Sequence, residues 1–173
     1  MFIERIPGHK QIAEFVAVAE LAVKEAITLF HAWDKWKDRE GGYFCVAEAR
    51  RGFPILVTPI GAVLVEKGEK YLAFCQEKAK RLVQHPDHKS SWESRNPEAG
   101  QWGGAISVSA FGSLIFSMSG FPELGDEAIM LVTAEMFFKS ATDVDISNQL
   151  EAIANRSNNP YWLALRYLTL DRY

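Results

Sequence analysis

From His9 to Lys37 the chain runs without proline or glycine, and its apolar residues return at helical spacing. Ile12, Phe15, Val16, Ala19, Val23, Ala26, Ile27, Phe30 and Trp33 make one wide stripe, with Gln11, Glu14, Lys24, Glu25 and Thr28 largely on the other side. The pattern predicts one long amphipathic helix, closed by Gly41-Gly42 as helix stops usually are. A helix this long outruns the sheet of a small domain. Its far end, Phe30, Trp33 and Trp36, is therefore expected to pack against another copy of the chain.

Beyond the helix the chain takes on strand character. Tyr43 to Glu48 is rich in strand formers, Phe53 to Pro59 holds Ile55, Leu56 and Val57, and Ala62 to Glu66 holds Val63, Leu64 and Val65. Pro59-Ile60-Gly61 reads as the turn between the last two. A second helix is expected from Gly68, with Tyr71, Leu72, Cys75, Ala79, Leu82 and Val83 as its stripe. Glu69, Lys70, Glu77, Lys80 and Arg81 form its solvated face. His85 to Gly104 reads as a long polar loop carrying Trp92 and Trp102, whose surface should find cover. Ala105 to Ala110 and Ser113 to Ser119 alternate apolar residues with serine around Phe111-Gly112, a hairpin pattern. Gly120-Phe121-Pro122 precedes a nearly all-apolar helix ending near Lys139, with Asp126 and Glu127 in its first turn. The tail from Ala141 reads as two short helices, Asp145 capping the first and Asn159-Pro160 opening the second. The stretch from Tyr167 to Tyr173 is read as extended in the alternative. These elements define an α+β fold with an antiparallel sheet and helices on both faces.

A chain of 173 residues suits one domain. Apolar residues at 48% and charged residues at 24% exclude a disordered chain, a collagen and a coiled-coil rod. Lys and Arg number 19 against 22 Asp and Glu, a net charge of −3, so no basic excess draws the chain to nucleic acid. No apolar run approaches the roughly 18 residues that span a bilayer, so no membrane partner is expected. Met1 to Lys10 lacks the apolar core of a secretory signal, and the expected location is cytoplasmic. Cys45 and Cys75 are too few for a disulfide scaffold and read as reduced, buried thiols.

Several residues could carry chemistry. His85 and His88 are three apart, but Pro86 interrupts the helix that would aim both at a metal, so no metal is expected. His88 with Ser90 and Ser91 lacks any G-x-S-x-G elbow, and serines in polar loops are ordinarily turn residues. Gly103-Gly104 permits a close backbone or ligand approach, or simply makes a bulge. Ser119-Gly120, just before a helix, offers unpaired N–H groups to an anion or merely caps the turn. His31 could ligate haem iron, although a lone helix histidine is more often a surface or interface residue.

Two stretches together resemble a known family. Lys78 to Trp92 reads KAKRLVQHPDHKSSW, and Gly100 to Met130 reads GQWGGAISVSAFGSLIFSMSGFPELGDEAIM. Lys78, His88, Ser90, Ser91, Gly103, Gly104, Ser119, Gly120, Pro122 and Asp126 are similar to motif positions of the haem-degrading-domain family of GlcG-like, haem-binding proteins. The element order over residues 9–139 is similar as well. The resemblance implies a profilin-like antiparallel sheet of about five strands between helical layers. It divides the chain into a GlcG-like domain, 1–140, and a helical extension, 141–173, packed on the domain or on a partner subunit. It also implies a homo-oligomer that binds a small molecule or cofactor, with haem the candidate and catalysis unassigned. The residues expected at the ligand are His31, His88, Ser91, Gly103, Gly104, Ser119, Gly120 and Asp126. The rival readings are an oligomeric scaffold or protein-interaction module without catalysis, and an enzyme acting on a small anionic substrate held at Gly120.

Overall fold

The computed structural model describes residues 8–110 and 112–170. The apolar stripe forms helix α1, His9–Ala32, with Phe15, Val18, Ala19, Ala22, Val23, Ala26, Leu29 and Phe30 buried. The helix stops short of Gly41-Gly42. Asp34 turns into the left-handed region at φ 59°, the Lys35 N–H donates to the Phe30 carbonyl at 2.7 Å, and the Asp34 N–H donates to the His31 carbonyl at 3.0 Å. That is a Schellman ending with aspartate where glycine is usual.

Gly41-Gly42 belongs instead to strand β1, Glu40–Glu48. A Cβ on Gly42 would stand 2.4 Å from the Ser119 carbonyl oxygen, and one on Gly120 would stand 2.3 Å from that of Gly41. These glycines are present because two backbones meet there.

The sheet has four strands rather than about five. β2 is Pro54–Ala62, β3 is Ala105–Ser109 and β4 is Ser113–Ser119, in the antiparallel order β2-β1-β4-β3. The expected third strand at 62–66 does not form. β2 runs straight through Pro59-Ile60-Gly61, pairing these residues with Tyr43, Gly42 and Gly41. As an edge strand it tolerates the missing proline N–H. Helix α2, Val65–Gln84, then starts where that extra strand was expected. The hairpin closes with Ser109 opposite Ser113 and Gly112 at φ 139°, while Phe111 lies outside the described residues.

Alternation sorts the sheet into two faces. Phe44, Val46, Ile60, Ile106, Val108, Leu114, Phe116 and Met118 face the main core with α1 and α3, which is Glu123–Thr142. Cys45, Ala47, Ala105 and Ile115 face α2 in a smaller cluster with Cys75, Ala79 and Leu82. A register slip of one residue would turn each set to the wrong side. Phe15 stacks on Phe137 at 3.8 Å and meets Phe116 edge-on at 5.8 Å.

The tail forms α4, Ser147–Ser157, and α5, Trp162–Leu170. The expected caps are displaced: Ile146 holds the N-cap of α4, so Asp145 lies one residue outside and accepts from the Ser147 N–H at 2.8 Å, and α5 opens at Trp162, so Asn159 lies in the preceding turn and accepts from the Tyr161 N–H at 3.0 Å. Residues 162–170 are helical, which removes the extended alternative there, while 171–173 lie outside the described residues. Leu150, Ile153, Trp162 and Leu165 join the same buried cluster as Phe30 and Phe137. Near the end of α1, Phe30 is covered from within the chain, while Trp33 stays exposed. Phe30 is enclosed by Trp36 at 4.7 Å, Tyr161 at 5.4 Å and Phe121 at 5.6 Å.

Candidate functional site

Lys78 projects from α2 toward the sheet rather than into solvent, and is 2% exposed. Its ammonium donates to the Met118 carbonyl at 2.8 Å and to Asp126 Oδ2 at 3.0 Å. Asp126, in the first turn of α3, is 0% exposed, and its Oδ1 accepts from the Phe121 N–H at 2.8 Å. Burial pushes the Asp126 carboxyl up to about 6, against the opposing pull of Lys78 and of the Phe121 and Gly120 N–H groups. The pair requires Gly104. A Cβ there would stand 2.7 Å from both Lys78 Nζ and Asp126 Cβ, and its φ of +116° disfavours any other residue.

The buried pair forms the floor of a surface cleft of about 290 Å³. Tyr71, Phe74, Trp102 and Phe121 supply aromatic wall, and Arg39, Lys70 and Glu123 supply charge. Arg39 donates to the Tyr71 hydroxyl and, at 3.1 Å, to the Gly120 carbonyl. The Lys70 ammonium lies 5.7 Å from the Phe74 ring centroid. Glu123 is neutralised by Arg95 at 2.6 Å and accepts from the Gly103 N–H at 2.9 Å. With Lys78 matched to Asp126, Glu123 to Arg95 and Arg39 to Asp38 at 3.3 Å, Lys70 is the lining cation with no ion-pair partner among the described residues.

The loop beside the cleft is ordered by charge. Two 3-10 turns, Ser91–Ser94 and Pro97–Ala99, fall within it. Arg81, expected on the solvated face of α2, is buried instead. Its guanidinium donates to the Ser91 carbonyl at 2.8 Å, to Ser94 Oγ at 2.9 Å and to the Trp102 carbonyl, while Glu77 balances it at 2.8 Å. Trp92 finds cover under the Arg95 guanidinium at 4.4 Å. Ser90 caps the first turn and donates to Glu127, a buried carboxylate on α3 that also receives the Ser157 hydroxyl and, at 3.0 Å, the Asn159 amide. Burial raises the Glu127 carboxyl above its ordinary value, with these donors opposing.

Six of the eight expected ligand residues gather around this floor. Ser119 and Asp126 line the cleft, Gly104 lies under the ion pair, and Gly120 accepts from Arg39. Gly103 holds Glu123, and Ser91 Oγ accepts from the Ala105 N–H at 3.0 Å. The N–H groups expected to bind an anion at the Ser119-Gly120 turn are taken by Asp126 itself. His31 and His88 do not line the cleft. His31 Nε2 and His88 Nδ1 are buried and, among the described residues, find no hydrogen-bond partner. The His88 ring stacks on His85 at 4.8 Å. Arg39, Tyr71 and Phe74 had no signal in the sequence, because Tyr71 reads as an ordinary stripe residue and Arg39 follows a helix end.

With respect to haem, the cleft offers no histidine, cysteine or methionine among its lining residues, and Tyr71 is its one side chain of a haem-ligating type. Among the described residues no group of three or more His, Cys, Asp or Glu gathers as a metal site would need. No helix there is long and apolar enough to cross a membrane. The fold and cleft define an α+β chain with a pocket built on a buried ion pair. Comparison with protein-family models, curated proteins and solved structures finds no match.

Proposed function

We propose that the protein binds a small anionic molecule with a flat apolar body in the cleft between α2 and the start of α3. The observation that carries this reading is the lining itself: aromatic walls from Tyr71, Phe74, Trp102 and Phe121, with Lys70 free of any carboxylate among the described residues and Arg39 paired only with the exposed Asp38 outside the cleft. A volume of about 290 Å³ sits at the small end of ligand pockets, which favours a ligand well below haem in size. The fold is proposed to be of the profilin-like kind, and the chain a relative of the haem-degrading-domain family. The support is the succession of long helix, strands, helix, hairpin and helix, together with the clustering of Gly103, Gly104, Ser119, Gly120 and Asp126.

The test is a titration followed by tryptophan fluorescence, Trp102 being in the wall. Benzoate and phenyl phosphate are the small probes and haemin the large one. The expected result is saturable quenching by a small aromatic anion that weakens at least tenfold in Arg39→Ala. Haemin is expected to give no sharp Soret shift. A sharp shift lost in Tyr71→Phe would instead establish haem ligation by that phenol. Equal, unsaturable responses in parent and Arg39→Ala would sink the reading.

A further inference from the structure

On the sheet face away from α1 and α3, helix α2 brings Cys75 over strand β4. The Cys75 thiol donates to the Ser117 carbonyl at 3.3 Å, and the Ser117 hydroxyl donates back to the Cys75 carbonyl at 2.7 Å. Ser117 is the direct cross-strand partner of Cys45 on β1. Cys45 and Cys75 thus meet at Ser117, in one buried cluster with Ala47, Ala79 and Leu82.

Their surroundings differ. Cys75 is fully enclosed, whereas Cys45 lies at the edge of a second cleft of about 440 Å³, into which Arg51 and Lys80 also reach. The cleft lining carries those two cations and no carboxylate. The neighbouring Cys75 thiol holds Cys45 below the ordinary thiol range despite its burial. Burial, together with Cys45, pushes Cys75 well above that range. Attack by a thiolate with a second thiol held beside it is how reactive cysteine pairs work, and cationic surroundings promote the thiolate.

We propose that Cys45 and Cys75 are a peroxide-responsive dithiol, oxidised through this cleft to a disulfide that ties α2 to β1. The oxidant is a small hydroperoxide, since Cys45 is only 2% exposed and no macromolecule reaches it. The Cys45 thiolate attacks one peroxide oxygen. An S–O bond forms as the O–O bond breaks, and the departing oxygen takes a proton and leaves as water or an alcohol. Cys45 is then a sulfenic acid. The Cys75 sulfur attacks it, the S–S bond forms, and the sulfenic hydroxyl leaves as water with the Cys75 proton. Across the two steps the thiols lose two protons and two electrons, and the peroxide is reduced.

The experiment treats the purified full chain with hydrogen peroxide. It reads intact mass, non-reducing peptide maps and dimedone labelling. The expected result is a mass loss of two hydrogens that dithiothreitol reverses, with the Cys45 and Cys75 peptides joined. In Cys75→Ser the sulfenic acid persists and Cys45 takes up dimedone, whereas Cys45→Ser leaves Cys75 unlabelled. The wild-type map stands even if a variant fails to fold. Two thiols fully alkylatable after peroxide and denaturation would overturn the proposal. So would a bridge found only between chains, or dimedone on Cys75 in Cys45→Ser.

Discussion

Lys78 and Asp126 place two opposite charges where water does not reach, and the sum of the forces on them can be read from the carboxyl. Attraction to Lys78 alone would hold Asp126 low, yet it titrates at about 6, so desolvation outweighs the attraction. Between its ordinary value of 3.8 and about 6 the folded chain keeps a proton that the unfolded chain has released. The stability tied to this carboxyl is therefore full at low pH and falls as pH rises through about 6, by about 3 kcal/mol in all. Lys78→Met sharpens the effect. Without the ammonium the carboxyl rises further, and each extra unit of titration costs about 1.4 kcal/mol. Urea unfolding of Lys78→Met should match the parent within about 1 kcal/mol at pH 5 and fall about 3 kcal/mol below it at pH 8. A deficit equal at both values would mean that packing of the lysine stem matters here, not charge.

Helix α3 is buried on every side, and its acids are the seams to its neighbours. Asp126 ties it to α2, Glu127 to the Ser90 loop and to the end of α4, and Glu135 to Arg166 on α5 at 2.6 Å. Local sequence reads Glu127 only as a charge suited to a helix start and assigns Asp126 no ion-pair partner, because their side-chain partners lie 30 or more residues away. Glu127 differs from the other two in meeting hydroxyls and an amide rather than a cation. A neutral isostere can keep those bonds, since hydroxyls donate or accept. Glu127→Gln should therefore stay within about 1 kcal/mol of the parent at pH 7, while Glu127→Ala, which strands buried polar groups and opens a cavity, should lose about 3 kcal/mol. Chemical denaturation of both variants checks this, and a glutamine variant as weak as the alanine one would show that the charge itself is needed. Among the other elements, α1 and the serine-alternating hairpin are legible because their periodicity is local. The end of β2 is not, since an edge position beside Gly41 and Gly42 overrides the turn signal of Pro59-Ile60-Gly61.

At the scale of the whole molecule, the floor of the candidate site was legible and much of its wall was not. Gly104 and Ser119 stand out by type, and Lys78 and Asp126 by the family resemblance, but Arg39 and Tyr71 meet only through the chain's path from α1 to α2. The same distance effect bears on self-association. The sequence argument for an oligomer rests on apolar surface at the end of α1, in the tryptophan loop and in the tail. In the fold these three consume much of one another's surface. Phe30 is fully buried against Trp36, Phe121 and Tyr161, Trp162 and Leu165 are in the core, and Trp92 lies under Arg95. Trp33 remains 43% exposed at 6.0 Å from Tyr161 and, on α5, Leu163 and Tyr167 remain 58% and 65% exposed, three scattered side chains beside the roughly 800 Å² per partner that a stable interface buries. Sedimentation at micromolar concentration should therefore give the mass of a single chain, unchanged by Trp33→Ser. A dimer that Trp33→Ser dissolves would show that the end of α1 is an interface after all. A dimer indifferent to that substitution would move the contact to the exposed Leu163 and Tyr167 of α5 or to the Leu64-Val65 corner of α2, where Val65 is 94% exposed.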